Sequence, residues 1–247
     1  MRTILKQVYS KSKIGFAIGW IAAYCVLMSL GDALSETAGL DKSISLAVGL
    51  LLSAVLFLFL KGNGLLMDYG LCRSRVSARS VLYYLPLLLL LAANLRYGVT
   101  MNLGITETVL YILTMFCVGF LEEVIFRGLL YNAMRGDNPK AAVIVSSVTF
   151  GIGHILNLFN GSGAELVPNL LQAVYATAAG FLFVMLYVKT GSLVACIVTH
   201  GLFNALSAFA PELTVPQQIL SCLWLTVVTG SYGLYLALTM KKTGGTV

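Results

Sequence analysis

Long apolar runs separated by short polar breaks extend along the whole chain. A helix rises about 1.5 Å per residue, so about 20 apolar residues cross the roughly 30 Å hydrocarbon layer of a bilayer. The pattern predicts eight such helices, at Ile14–Leu30, Ile44–Leu60, Val81–Leu95, Thr108–Met134, Ala141–Leu158, Val167–Val188, Leu193–Ala210 and Pro216–Met240. The third run is the shortest, because Pro86 interrupts it and Asn94 and Arg96 close it. The chain is therefore predicted to be all-α, a polytopic membrane helical bundle with about eight transmembrane helices.

The segments between the runs are short and predict one membrane domain over residues 1–247. The longest, Lys61–Ser80, predicts a short helix lying on the inner membrane surface and anchoring the bundle. The first run follows a basic stretch, as in a signal peptide, but no small-residue cleavage site follows it. We therefore interpret Ile14–Leu30 as a retained first span.

The composition agrees with a membrane protein. Of the 247 residues, 58% are hydrophobic and only 11% are charged, whereas a soluble domain has about 25% charged residues. The five cysteines show no CxxC or other metal-like spacing, so we interpret them as buried apolar residues rather than as disulfides or zinc ligands.

The net charge of +6 is explained by where the basic residues fall. With a cytoplasmic N-terminus, thirteen of the sixteen lie on the inner side: Arg2, Lys6, Lys11, Lys13, Lys61, Arg73, Arg75, Arg79, Arg135, Lys140, Lys189, Lys241 and Lys242. Lys42 and Arg96 fall outside, and Arg127 lies within a span. By the positive-inside rule both termini are cytoplasmic, and the basic charge requires no nucleic-acid partner.

Polar and ionisable residues within the spans are functional candidates, because each is costly in lipid. They include the two histidines of the chain and are Glu122, Glu123, Arg127, His154, His200 and Asn204. At 1.5 Å per residue, Glu122, His154 and His200 lie roughly 20, 21 and 16 Å along their helices from the nearest inner basic residue. The spacing therefore predicts that they meet at one level near the midplane.

The spacing within the fourth span separates its two glutamates. Glu123 and Arg127 are four apart in the order that favours an intrahelical ion pair, and alone they are most simply a structural clamp. Glu122 points about 100° away, so it can face His154 and His200.

Two kinds of chemistry fit this set. Glu122 can activate water as a general base while a histidine and the Asn204 amide stabilise an oxyanion. Alternatively, Glu122, His154 and His200 can ligate a divalent metal such as zinc, which would activate the water. The spacing does not choose between them, and a proton or ion pathway is a third interpretation.

Three motifs carry a family resemblance: Glu122-Glu-Val-Ile-Phe-Arg127, Phe150-Gly-Ile-Gly-His154 and His200-Gly-Leu-Phe-Asn204. They match EExxxR, FxxxH and HxxxN/D, each on its own helix. With this order, the chain resembles the CAAX prenyl protease 2 and bacteriocin-processing (CPBP, or Abi) family of intramembrane endopeptidases over about residues 107 to 210.

The resemblance implies an eight-helix bundle with a conical cavity open to the cytoplasm. It assigns the catalytic roles to Glu122 as general base, His154 as the group positioning the water, and His200 and Asn204 as the oxyanion site. Glu123, Arg127 and Phe150 are supporting residues. The family has been described both as metalloproteases and as metal-independent glutamate proteases; we favour the latter, because no fourth protein ligand is obvious.

The expected function is therefore hydrolysis of a peptide bond in a hydrophobic or membrane-anchored peptide. The compact chain resembles bacterial members, which implies the cytoplasmic membrane and a role in peptide pheromone maturation or bacteriocin immunity. The alternative is a non-catalytic bacteriocin-immunity or partner-binding protein of the same fold. A coupled transporter is less favoured, because the chain lacks paired inverted halves with broken helices.

Overall fold

The computed structural model describes residues 2–158 and 165–242, with side chains for 4–158 and 165–240. Its α-helices are α1 Arg2–Lys11, α2 Lys13–Thr37, α3 Ser43–Gly62, α4 Leu85–Ala92, α5 Ile105–Glu122, α6 Asn132–Met134, α7 Pro139–Gly153, α8 Leu166–Thr190, α9 Val194–Leu206 and α10 Val215–Lys242. A π-helical segment, Glu123–Tyr131, joins α5 to α6. Short 3-10 turns occupy Ala78–Tyr84, Ala93–Leu95, His154–Leu158 and Ser207–Phe209. The described ranges contain no strand, and the predicted all-α class is confirmed.

Within the part of the chain that the structure describes, seven segments are long and apolar enough to cross a bilayer: Lys13–Thr37, Ser43–Gly62, Ala78–Leu95, Ile105–Met134, Pro139–Leu158, Leu166–Thr190 and Val215–Met240. The remaining predicted span corresponds to the shorter apolar segment Val194–Phe209. At about 1.5 Å per residue it is roughly 24 Å long, less than the hydrocarbon thickness. The protein is an integral membrane protein, and its described residues include seven candidate spans and one shorter apolar segment.

The third span differs from its prediction. Pro86 does not interrupt the helix but lies in the first turn of α4, where its missing N–H costs nothing. The break comes earlier, because Leu82, Tyr83 and Tyr84 have φ values of 50°, 52° and 59°. The helical part of this span therefore begins only at Leu85.

Residues 63–77 form a series of turns, so the predicted surface helix within Lys61–Ser80 is wrong. Gly64 and Gly70 have φ values of +70° and +75°, which interrupt a helix. The turns bind the α8–α9 connection instead: Gly70 O accepts from Leu193 N at 2.8 Å, and Cys72 O accepts from Ser192 Oγ at 2.5 Å. The segment ties the ends of three helices together.

Two glycines allow α5 and α9 to approach closely. A Cβ on Gly119 would lie 2.7 Å from Gly201 N, and one on Gly201 would lie 2.8 Å from Phe116 Cδ1. Small residues permit such contacts between membrane helices. Gly119 comes three residues before Glu122, and Gly201 directly follows His200. This close contact therefore holds the motif that begins at Glu122 next to the motif that begins at His200.

We expect Gly70→Ala to destabilise the protein more than Gly64→Ala. Both positions carry a similar positive φ, which costs a residue with a side chain about 1–2 kcal/mol. Only at Gly70 would the new Cβ also meet neighbours, at 2.5 Å from Tyr187 Cε2 and 3.2 Å from Leu193 N. Overpacking would add about 1–3 kcal/mol.

Thermal unfolding of the purified variants in one detergent measures this difference. Equal losses for the two substitutions would show that the contact with the α8–α9 connection contributes nothing.

Candidate active site

A cavity of about 320 Å³ lies among α2, α5, α7, α8 and α9. Glu122, His154 and Asn204 all line it. His200 lies beside it, 6% exposed, and shares a smaller pocket of about 40 Å³ with His154 and Asn204. The fold thus brings together the four side chains that the sequence singled out on three different helices.

The Glu122 carboxylate is held at one oxygen and available at the other. Tyr24 Oη donates to Glu122 Oε1 at 2.7 Å. Glu122 Oε2 has no hydrogen-bond partner among the described residues, and His200 Nε2 lies 3.4 Å from it. Oε2 is buried without a donor among the described residues, so it is the oxygen with an unused acceptor position for a water.

His200 contacts both glutamates, one with each ring nitrogen. Its Nδ1 lies 2.8 Å from Glu123 Oε1, and it must donate there because a carboxylate oxygen can only accept. Glu123 Oε1 also accepts from Arg127 Nη1 at 3.1 Å, within an ion pair whose two side chains are fully buried. The expected Glu123–Arg127 pair is present, and Glu123 in addition orients the histidine.

Aromatic rings enclose this charged group. Phe183 stacks on the His200 ring with centroids 5.9 Å apart, and Phe150 meets the same ring edge-on at 5.6 Å. The Arg127 guanidinium lies 4.1 Å from the centre of the Phe150 ring, a favourable cation–π distance. Phe150, the first residue of the second motif, therefore supports both the arginine and the histidine.

His154 is fixed by its own helix end. Helix α7 ends at Gly153, and His154 Nδ1 lies 3.0 Å from the Phe150 carbonyl oxygen. Since a carbonyl only accepts, Nδ1 carries the proton, and in the neutral ring Nε2 is left as an acceptor. Asn169 Nδ2 donates to the His154 carbonyl oxygen at 2.8 Å and fixes the backbone there.

Asn204 lines the cavity, and its side-chain amide has no protein partner among the described residues. Its backbone carbonyl accepts from Ser207 Oγ at 2.6 Å. An amide donor beside a carboxylate and a histidine can bind a carbonyl oxygen on which negative charge develops.

Several neutral polar residues of the site were not predicted, because their cost in lipid is smaller than that of ionisable groups and marks them less clearly in the sequence. Tyr24 and Asn169 contact Glu122 and His154 as described, and Asn94 Nδ2 donates to the Phe203 carbonyl oxygen at 2.6 Å. Each lies inside or at the end of an apolar run. The signal that marks them in the sequence is a hydrogen-bonding side chain within a predicted span.

The π-helical segment was also not predicted. It begins at Glu123 and places all nine of its residues in the interior. Such segments are rare and frequently occur at functional sites. Here it places Glu123 and Arg127 in the core while α5 ends with Glu122 at the cavity.

The residues as placed do not fit a resident metal ion. Within residues 2–158 and 165–242, no three His, Cys, Asp or Glu side chains converge on a common metal position, whereas catalytic zinc sites use three protein ligands. Glu122 and His200 Nε2 approach each other, but the predicted set of Glu122, His154 and His200 is not gathered around one point.

We expect Glu123→Gln to destabilise the protein by about 3–5 kcal/mol, because it leaves the buried Arg127 charge without a counter-ion. The control is Asp32→Asn. Asp32 pairs with Lys42 at 2.8 Å, but its side chain is 38% exposed, so its loss should cost only about 0.2–1 kcal/mol. Unfolding of the purified variants compares them, and similar losses would contradict a buried pair at the centre of the bundle.

Comparison with known proteins agrees with the three motifs. Residues 104–206 match the model of the family described as type II CAAX prenyl endopeptidase Rce1-like, a family of membrane proteases. No curated protein and no solved structure matches the chain significantly. The matched segment contains Glu122, His154, His200 and Asn204. Over this segment, which is less than half of the chain, the protein is similar to the Rce1-like type II CAAX prenyl endopeptidase family.

Proposed function

We propose that the protein is a membrane-embedded endopeptidase in which Glu122 activates the attacking water. The proposal rests on the different surroundings of the two carboxylate oxygens of Glu122. Oε1 is fixed by Tyr24, whereas Oε2 is buried without a hydrogen-bond partner among the described residues, in a side chain that lines the cavity. A general base needs both a fixed position and an available lone pair.

His154 positions the same water. With Nδ1 donating to the Phe150 carbonyl oxygen, Nε2 accepts one hydrogen bond from the water while Glu122 Oε2 accepts the other. The oxygen lone pair is then directed at the carbonyl carbon of the peptide bond. Proton transfer to Glu122 and attack by the water oxygen form the tetrahedral intermediate.

Asn204 and His200 bind the oxyanion of that intermediate. The Asn204 amide donates one hydrogen bond. His200 donates a second from Nε2 as an imidazolium. Its charge balances the oxyanion, because Glu122 is protonated at this stage and Arg127 already pairs with Glu123. When the intermediate collapses, the C–N bond breaks and Glu122 returns its proton to the leaving amine.

The substrate is a hydrophobic or membrane-anchored peptide. The cavity lies within the membrane-spanning helices, so a peptide bond that reaches it must enter from the bilayer or from its surface. The cavity has no room for a folded domain, and its substrate must be extended at the cleaved bond.

The direct test uses the purified protein in liposomes with fluorescence-quenched peptides that each contain a hydrophobic segment, with and without a lipidated cysteine. We expect Glu122→Gln to reduce cleavage at least about 100-fold, because a general base contributes about 10²–10⁴. Glu36→Gln, which alters an exposed glutamate, is the control. Equal cleavage by wild type and Glu122→Gln would remove Glu122 as the base.

We expect Tyr24→Phe to reduce kcat about tenfold and to leave KM nearly unchanged. The substitution removes only the hydroxyl that fixes Glu122, and a hydrogen bond to a charged group contributes about 1.5–3 kcal/mol. Tyr175→Phe is the matched control, since Tyr175 also lines the cavity but makes no contact with Glu122. A rise in KM without a fall in kcat would mean that Tyr24 binds substrate instead.

A further inference from the structure

We propose that the catalytic cavity opens to the non-cytoplasmic side of the membrane, so that peptides are cleaved from that side. The substrate part of this inference rests on the proposed function, whereas the direction of the opening does not.

The helical bundle has two ends, each defined by hydrogen bonds between connections. At one end Tyr9 Oη meets Tyr69 Oη at 2.7 Å, Asn132 Nδ2 donates to Tyr187 Oη at 2.8 Å, and Gly70 O accepts from Leu193 N. We call this the basic end.

At the other end, Lys42 pairs with Asp32 at 2.8 Å. Thr100 N donates to Phe209 O at 3.0 Å, and Asn102 Nδ2 donates to Ala210 O at 2.7 Å. We call this the acidic end.

The charges of the two ends differ strongly. The thirteen lysines and arginines counted above as cytoplasmic belong to connections and helix termini of the basic end, with two acidic residues, Asp68 and Asp137. The side chains of three of the thirteen, Arg2, Lys241 and Lys242, lie outside the description. The acidic end has six acidic residues, Asp32, Glu36, Asp41, Glu107, Glu165 and Glu212, and only Lys42 and Arg96 as basic ones. The positive-inside rule places the basic end in the cytoplasm.

The cavity extends from Glu122 toward the acidic end. Along α5, its wall includes Val118, Met115, Thr114 and Tyr111, which lead from Glu122 back to the start of that helix. At its far end from Glu122, the cavity is lined by residues of the acidic end: Asp32, Lys42, Asn94, Asn157 and Ser207.

The opposite direction is closed by packing. All nine residues of the π-helical segment Glu123–Tyr131, which continues from Glu122 toward the basic end, are buried. Glu123 and Arg127 are fully inaccessible within it. Access from the basic end is therefore blocked by the same charged cluster that orients His200.

The position of the cavity bears on two expectations from the sequence, one about the termini and one about the side on which the cavity opens. The charges predict cytoplasmic termini, and the family resemblance implies a cavity open to the cytoplasm. In this fold they exclude each other, because the cavity opens at the end of the bundle away from the basic residues. The charge bias of thirteen to two favours the non-cytoplasmic opening.

The depth of the site defines the substrate. Glu122 and Tyr111 are eleven residues apart, or roughly 16 Å along α5. An extended chain rises about 3.3 Å per residue, so about five extended residues reach from the level of Tyr111 to the base. We therefore infer a membrane peptide whose segment next to the non-cytoplasmic surface can unwind and enter the cavity.

Thiol labelling tests the direction without requiring activity. In a Cys25→Ser, Cys72→Ser background, Glu36→Cys and Asp137→Cys report the two ends, since both are exposed acids, one in the last turn of α2 and one in the connection before α7. An impermeant methanethiosulfonate should label Glu36→Cys in right-side-out vesicles and Asp137→Cys only in inverted ones. The reverse pattern would overturn the proposal.

A second pair of variants reports the cavity itself. Met115→Cys lines the cavity, whereas Leu113→Cys lies on the same helix with a 48% exposed side chain outside the cavity. The reagent should modify Met115→Cys from the outside of right-side-out vesicles and leave the lipid-facing Leu113→Cys unmodified. Modification of Met115→Cys only in inverted vesicles would overturn the proposal.

Cleavage adds a third readout. A charged, impermeant quenched peptide should be cut by right-side-out vesicles and not by inverted ones, and Glu122→Gln should abolish the signal. Cleavage only by inverted vesicles would refute the opening and leave the peptidase intact. No cleavage by either would refute the proposed function, and the labelling would still decide the direction.

Discussion

The buried carboxylate of Glu123 is the interaction on which the rest of the site depends. It pairs with Arg127 at 3.1 Å and accepts from His200 Nδ1 at 2.8 Å, all in the interior of a membrane protein. A charge at that position is stable only with such partners. By satisfying Arg127 on its own helix and His200 on α9, Glu123 fixes the angle between the two helices and the direction of His200 Nε2. The neighbouring Glu122 can then face the cavity without stabilising the fold itself.

Small residues and neutral polar groups add to the effect of the ion pair by letting helices approach closely and by fixing the site residues. Gly119 and Gly201 bring the backbones of α5 and α9 together, and Gly180 leaves space for Arg127, since a Cβ there would lie 3.2 Å from Nη2. Tyr24 and Asn169 fix Glu122 and the His154 backbone. The result is a closed, rigid floor and an open cavity above it, which suits a site that must hold one water beside a base in a low-dielectric environment.

The spans and the helices of the site could be predicted from single positions and spacings. The features that were not predicted depend on a backbone turn or on contacts between segments far apart in the sequence. The apolar runs predicted the spans, and the ionisable residues within them marked α5, α7 and α9 as the site. Hydropathy could not show that Pro86 starts a helix, because that depends on the backbone turn at Leu82–Tyr84. Nor could it show that residues 63–77 form turns, because their backbone groups bind the α8–α9 connection, which is more than a hundred residues away in sequence.

The sequence alone determined which residues are too costly to place in lipid without a partner, and therefore which ones to consider. It also determined the charge difference between the two sides, because that requires only the order of the spans. Only the tertiary structure decided which partner each residue has. His200 contacts both glutamates, Glu123 has two partners, and Tyr24 from the first span holds the proposed base. It also decided at which end the cavity opens. The reason is physical: burial energies act residue by residue, whereas a contact or an opening exists only where several helices pack together.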